Sequence, residues 1–175
     1  VVRLLIGGGA AVNQATAANG STPLYGAAKH GYGDVVGLLL NSGANVDQAR
    51  AESGATPLFV AAQEGHTKVL RLLIGGGATV NLGKMDNGTT PLCVAALEGR
   101  TEIARLLIDG GGAVNQARTS DGTTPLGAGA ERGHIEVVSL LLGFGAAINQ
   151  ARTDIGTTPL FLAAQEGHTE IARLL

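Results

Sequence analysis

Aromatic residues and cysteine are scarce in this chain. Only 3% of its 175 residues are Phe, Tyr or Trp, none is Trp, and Cys93 is the single cysteine. One cysteine excludes an internal disulfide framework and fits a reducing compartment, so the expected location is intracellular, the cytoplasm. Charge excess is missing too: 12 basic against 14 acidic residues leave a formal net charge of −2, with a pI near 6.1. A nucleic-acid or membrane-surface protein usually carries a strong basic excess, so neither is expected as a partner. No uninterrupted apolar run approaches the roughly 18 residues of a membrane span. Val1-Val2-Arg3-Leu4-Leu5-Ile6 is too short, and too soon followed by glycines, for a signal peptide. The chain does not begin with Met and opens and closes in the same part of a repeat, so a piece of a longer array is expected.

What is present is a period. Thr22-Pro23-Leu24, Thr56-Pro57-Leu58, Thr90-Pro91-Leu92, Thr124-Pro125-Leu126 and Thr158-Pro159-Leu160 follow one another at intervals of 34 residues, without insertion or deletion. A fixed period of this size predicts a stack of small units, each contacting its neighbours, in place of one globular core. The expected division is a partial repeat at 1–19, full repeats at 20–53, 54–87, 88–121 and 122–155, and a partial repeat at 156–175.

Residues 88–121 show the physics of one unit. Thr90 suits an N-cap and Pro91 the first helical position, where its missing N–H costs nothing. A helix of about two turns is predicted from Leu92 to Glu98, ended by Gly99 in a left-handed conformation. A second is predicted from about Glu102 to Asp109. Its apolar stripe of Ile103, Ala104, Leu106, Leu107 and Ile108 is wide enough to need neighbours on two sides. Gly110-Gly111-Gly112 ends it; Ala113-Val114-Asn115 reads as extended and Ser120-Asp121-Gly122-Thr123 as a turn. Pairs such as Ala95-Ala96 keep the first helix thin, and pairs such as Leu72-Leu73 and Leu106-Leu107 supply a continuous core.

These residues resemble the ankyrin repeat family, whose pattern runs G-x-T-P-L-H-x-A-A-x-x-G-H, an apolar helix, then G-A-x-V-N. Gly65-His66, Gly133-His134 and Gly167-His168 match the Gly-His element; Gly43-Ala44-Asn45-Val46-Asp47 and Gly112-Ala113-Val114-Asn115 match the loop. The resemblance covers the whole chain and implies an α-class, ankyrin-repeat solenoid of helix-turn-helix units with protruding hairpin-like loops, one domain over 1–175. The chain departs from the family in three ways. The period is 34 where the family usually has 33, with the extra residue between Asn115 and Thr124, so a longer loop tip is expected. The family's His after Thr-Pro-Leu is replaced by Tyr25, Phe59, Cys93, Gly127 and Phe161, so those turns should rely more on packing. Gly127 and Gly129 stand in one short helix, each costing roughly 1 kcal/mol relative to Ala, which predicts a soft point at 124–133.

The family implies no enzyme and no cofactor, but a module that binds a protein or peptide through its loop tips and the exposed face of the first helix. Carried to this chain, the first-helix positions are Lys29, His30, Gln63, Glu64, Leu97, Glu98, Glu131, Arg132, Gln165 and Glu166. The tip positions include Arg50, Glu52, Lys84, Asp86, Arg118, Ser120, Arg152 and Asp154. Arg50, Lys84, Arg118 and Arg152 form a basic column able to grip an acidic peptide, or neutralised locally by Glu52, Asp86 and Asp154. His30, Glu64, Glu98, Arg132 and Glu166 form a mainly acidic column, either facing a partner or simply solvated. Glu102 with Arg105 and Glu170 with Arg173 read as i,i+3 support on the second helix.

Other chemistries fail on spacing. His66, His134 and His168 share a column roughly 10 Å or more apart, whereas zinc needs ligand atoms about 2 Å from one ion. Gly75-Gly76-Gly77 before Gly83-Lys84 lacks the glycine and hydroxyl of a phosphate loop. Asn19-Gly20-Ser21 and Asn87-Gly88-Thr89 fit a glycosylation sequon, but Asn-Gly is equally a tight-turn dipeptide. Cys93 reads as a small core residue. An alternative to the binding module is a self-stacking scaffold, associating weakly head to tail through ends left uncapped at Val1, Leu4 and Leu5 and at Leu174-Leu175.

Overall fold

A computed structural model describes residues 7–175. The expectation for Val1, Leu4 and Leu5 lies outside the described residues. The chain forms two compact units, divided between Thr79 and Val80. The first holds α1 (Pro23–Lys29), α2 (Gly33–Asn41), α3 (Pro57–Glu64) and α4 (Thr67–Gly75). The second holds α5 (Pro91–Leu97), α6 (Thr101–Asp109), α7 (Pro125–Arg132), α8 (Ile135–Gly143), α9 (Pro159–Gln165) and α10 (Thr169–Leu174). Within each unit, the first helices of successive repeats pack side by side, and so do the second helices, giving two layers. No strand occurs among the described residues.

Every Thr-Pro-Leu starts a helix. The threonines Thr22, Thr56, Thr90, Thr124 and Thr158 are extended, near φ −81 to −88° and ψ 162 to 164°, and each is followed by proline at the first turn. Each hydroxyl accepts the backbone N–H three residues on, from Tyr25, Phe59, Cys93, Gly127 and Phe161, at 3.0 to 3.3 Å. These are the positions where histidine was missing. The bond uses the main chain, so the cap survives four different residue types at that position. Thr22, Thr56, Thr90 and Thr124 are almost fully buried, at 2 to 4% exposure, and the cap is what satisfies them there.

The helices are too short to be stable alone, since isolated helices under about 12 residues are marginal. Packing holds them. Ala28, Ala62 and Ala96 are completely buried and let neighbouring helices approach. Leu73, Leu107 and Leu141 are also completely buried, and Leu39 nearly so. Their partners Leu38, Leu72 and Leu106 are only half-buried, so in these three pairs the second leucine makes the core, whereas Leu140 and Leu141 are both buried. The stripe on α6 is likewise narrower than expected: Ile103, Ala104 and Leu107 are buried, while Leu106 and Ile108 stay half-exposed. In α7 the chain runs helical through both glycines, and every residue from Pro125 to Ala130 is buried.

Candidate functional site

The loops between repeats close by main-chain bonds. In the loop after α6, Arg118 N–H bonds Thr123 O at 2.9 Å and Gly122 N–H bonds Arg118 O at 3.0 Å. The loops at Arg50, Lys84 and Arg152 repeat this pair. Successive tips of the second unit are also tied to each other: Thr119 N–H donates to Asn87 O and Thr153 N–H to Asp121 O, both at 2.9 Å. The tips are therefore held at fixed spacing by backbone.

A second set of ties comes from a polar column that the sequence pattern contains but does not explain. Asn81 Nδ2 donates to Gly111 O at 3.0 Å while its Oδ1 accepts from Ala113 N–H at 2.8 Å. Asn13 and Asn115 bridge to the next loop in the same two-handed way. Asp47 has no donor to offer. It accepts instead from the N–H and hydroxyl of Thr79, at 2.9 and 2.6 Å, and Thr79 stands where Asn45, Ala113 and Ala147 stand elsewhere.

The histidines act between repeats. Nε2 of His66, His134 and His168 lies 3.0 to 3.1 Å from the carbonyl oxygens of Lys29, Leu97 and Glu131, near the ends of the preceding first helices. Gly133 shows what this closeness demands. It is left-handed at φ +78°, and a Cβ there would sit 2.6 Å from the His168 ring. Only glycine satisfies both conditions. Among the described residues, no group of three or more His, Cys, Asp or Glu is placed to hold a metal ion. No helix among them is long and apolar enough to cross a membrane. Cys93 is buried, and that burial pushes its thiol up to about 12, far from a reactive thiolate.

The residues singled out in sequence divide into two groups. Lys29, His30, Gln63, Glu64, Glu98, Arg132, Gln165 and Glu166 are exposed at the ends of the first helices, with Leu97 and Glu131 half-buried among them. At the tips Glu52, Asp86, Ser120 and Asp154 are exposed, but Arg50, Lys84, Arg118 and Arg152 are half-buried. Each of these cations has a carboxylate beside it: Arg50–Glu52 at 2.8 Å, Lys84–Asp86 at 2.9 Å, Arg152–Asp154 at 2.7 Å and Arg118–Asp121 at 3.5 Å. Asp121 also lies 3.7 Å from Arg152.

Burial opposes ionisation of Asp121, but the Thr123 N–H and the charges of Arg118 and Arg152 outweigh it and hold the carboxyl below its ordinary value. The hydrogen bond to Asp154 chiefly keeps Arg152 protonated, with smaller contributions from Asp154, Asp121 and Glu131 charges. On the second helices, Arg173 pairs with Glu170 at 2.6 Å, and the Arg105 guanidinium lies 5.7 Å over the Phe144 ring.

Sequence reasoning missed Asp121 as a shared partner of two arginines. Met85 and Ile155 fall inside the tip segments expected at 85–89 and 153–157, but their character as exposed apolar side chains, at 80% and 66% exposure, went unmarked. Aligning the loops by period was the available signal: Ile155 occupies the column of Asn19, Ser53, Asn87 and Asp121, all polar.

A family model described as ankyrin repeats (3 copies) matches this chain over residues 1–84, 27–119, 78–152 and 110–175. A search of curated proteins finds no match.

Proposed function

The chain belongs to the ankyrin repeat family, and from that premise we propose that it binds a protein or peptide through its loop tips and the exposed ends of its first helices. Ankyrin repeats generally mediate protein–protein contacts through their repeat surfaces. The observation that carries the finer reading is the exposure of Met85 and Ile155 at the tips. Large apolar side chains set among satisfied ion pairs are the composition of an interface centre with a polar rim.

The test is a peptide-display selection with three baits: the chain, a variant with Met85, Glu98, Arg132, Ile155 and Glu166 changed to Ser, and a variant with Lys68, Arg71, Glu136, Ser139 and Glu170 changed to Ala. A motif kept by the third bait and lost by the second supports the tips and first helices. Loss with the third and retention with the second moves the site to the second helices.

A further inference from the structure

In three of the four loops a cation hydrogen-bonds a carboxylate two residues further on. Arg50 Nη2 reaches Glu52 at 2.8 Å, Lys84 Nζ reaches Asp86 at 2.9 Å, and Arg152 binds Asp154 with two bonds at 2.7 and 3.1 Å. The remaining loop breaks the register. Ser120 stands where Glu52, Asp86 and Asp154 stand elsewhere, and it is exposed.

Its cation, Arg118, donates no hydrogen bond to a carboxylate among the described residues. The nearest carboxylate oxygen, Asp121 Oδ2, is 3.5 Å away and shared with Arg152 at 3.7 Å. Asp121 Oδ1 is occupied by Thr123 N–H at 2.9 Å. The Arg118 side chain is 26% exposed, and its Nε, like that of Arg50, is buried without a hydrogen-bond partner.

We propose that Arg118 anchors an acidic side chain of the bound protein, which enters over Ser120 and fills the place that Glu52, Asp86 and Asp154 fill in the other loops. This rests on the protein-binding reading above and names the partner's chemistry at one tip. A guanidinium presents its donors in a fork that matches a carboxylate, and such charge-assisted bonds are the strong ones. Asp121 beside it, at 3.5 Å, favours one incoming anion over a run of them. Serine leaves the room that a carboxylate side chain occupies in the neighbouring loops.

The experiment selects random peptides on the whole chain and on Ser120→Asp, which supplies the missing carboxylate internally. Each enriched peptide is then measured by calorimetry in three forms: acid, the corresponding amide, and phosphoserine at the shared position. Wild type is expected to enrich peptides sharing an Asp or Glu. The amide form and the S120D variant are each expected to weaken binding by about tenfold or more, the usual value of a charge-assisted bond. S120D is expected to melt at or above the wild-type temperature, since it restores the column.

Equal binding by S120D and wild type, equal binding of amide and acid, or a lower melting temperature for S120D each overturns the proposal. Tighter binding of phosphoserine than of the acid replaces the carboxylate with a phosphate. Peptides without a shared acid overturn this inference and leave the protein-binding reading standing; no enriched peptide at all overturns both.

Discussion

Single glycines in this chain play opposite parts, and the surrounding atoms decide which. A Cβ on Gly127 would meet nothing nearer than Thr124 Oγ1 at 3.4 Å, an ordinary contact, and the residue is helical. Gly127→Ala is expected to stabilise the chain by about 1 kcal/mol in urea unfolding. Gly133→Ala is expected to cost about 1 kcal/mol or more, since its φ is positive and the new methyl would strike His168. Asp121 makes a pH prediction. Its folded value lies below the ordinary 3.8, so the unfolded chain takes up its proton first. The stability it supplies is complete above the ordinary value and is lost as pH falls through the lowered one. Thermal melts from about pH 5 down to about pH 2 should therefore show a smaller loss for Asp121→Asn than for wild type.

At the scale of the element, the short helices owe their ends to local chemistry and their persistence to neighbours. The caps at Thr22, Thr56, Thr90, Thr124 and Thr158 are alike, so differences in stability between first helices come from their interiors. The α7 helix carries Gly127 and Gly129 where α5 carries Cys93 and Ala95. Amide exchange at 124–133 is expected to be faster than at 90–99, and slowed by Gly127→Ala; equal rates would show that packing on α5 and α9 fully compensates the two glycines. Gly129 is a poorer site for repair, because a Cβ there would press on Val138 Cγ2 at 3.3 Å. The loops follow the same division. Their turns close locally, but the tips are aligned by bonds from one repeat to the next, such as Thr119 N–H to Asn87 O.

At the scale of the whole molecule, a small set of ties between repeats recurs within each unit: a histidine to a carbonyl and an Asn or Asp to a loop in both, and tip to tip in the second. In such a stack stability is a sum of local terms and nearest-neighbour terms. His134 and His168 tie different pairs of repeats and share no partner, binding the carbonyls of Leu97 and Glu131. His134→Ala and His168→Ala are each expected to cost about 1 kcal/mol, and the double variant their sum within about 0.5 kcal/mol. A double-variant cost well below the sum would mean that the histidines act through a common element.

The period of 34, the threonine caps, the glycine stops and the apolar columns were all legible in the sequence, because each is set by residues within one turn or one repeat. That was enough for the helix pairs, their order and the family. Which atoms meet between repeats was not legible. The Gly-His pairs read as turn residues, yet their rings reach carbonyls 37 residues away. The basic column read as a row of equivalent cations, but three have close hydrogen-bonded partners and Arg118 has only a longer, shared one. In that loop Ser120 followed by Asp121 puts the carboxylate one residue later, where it lies 3.5 Å from Arg118 and 3.7 Å from Arg152. Local chemistry chose the elements; the closeness of neighbouring repeats chose which polar groups pair with which.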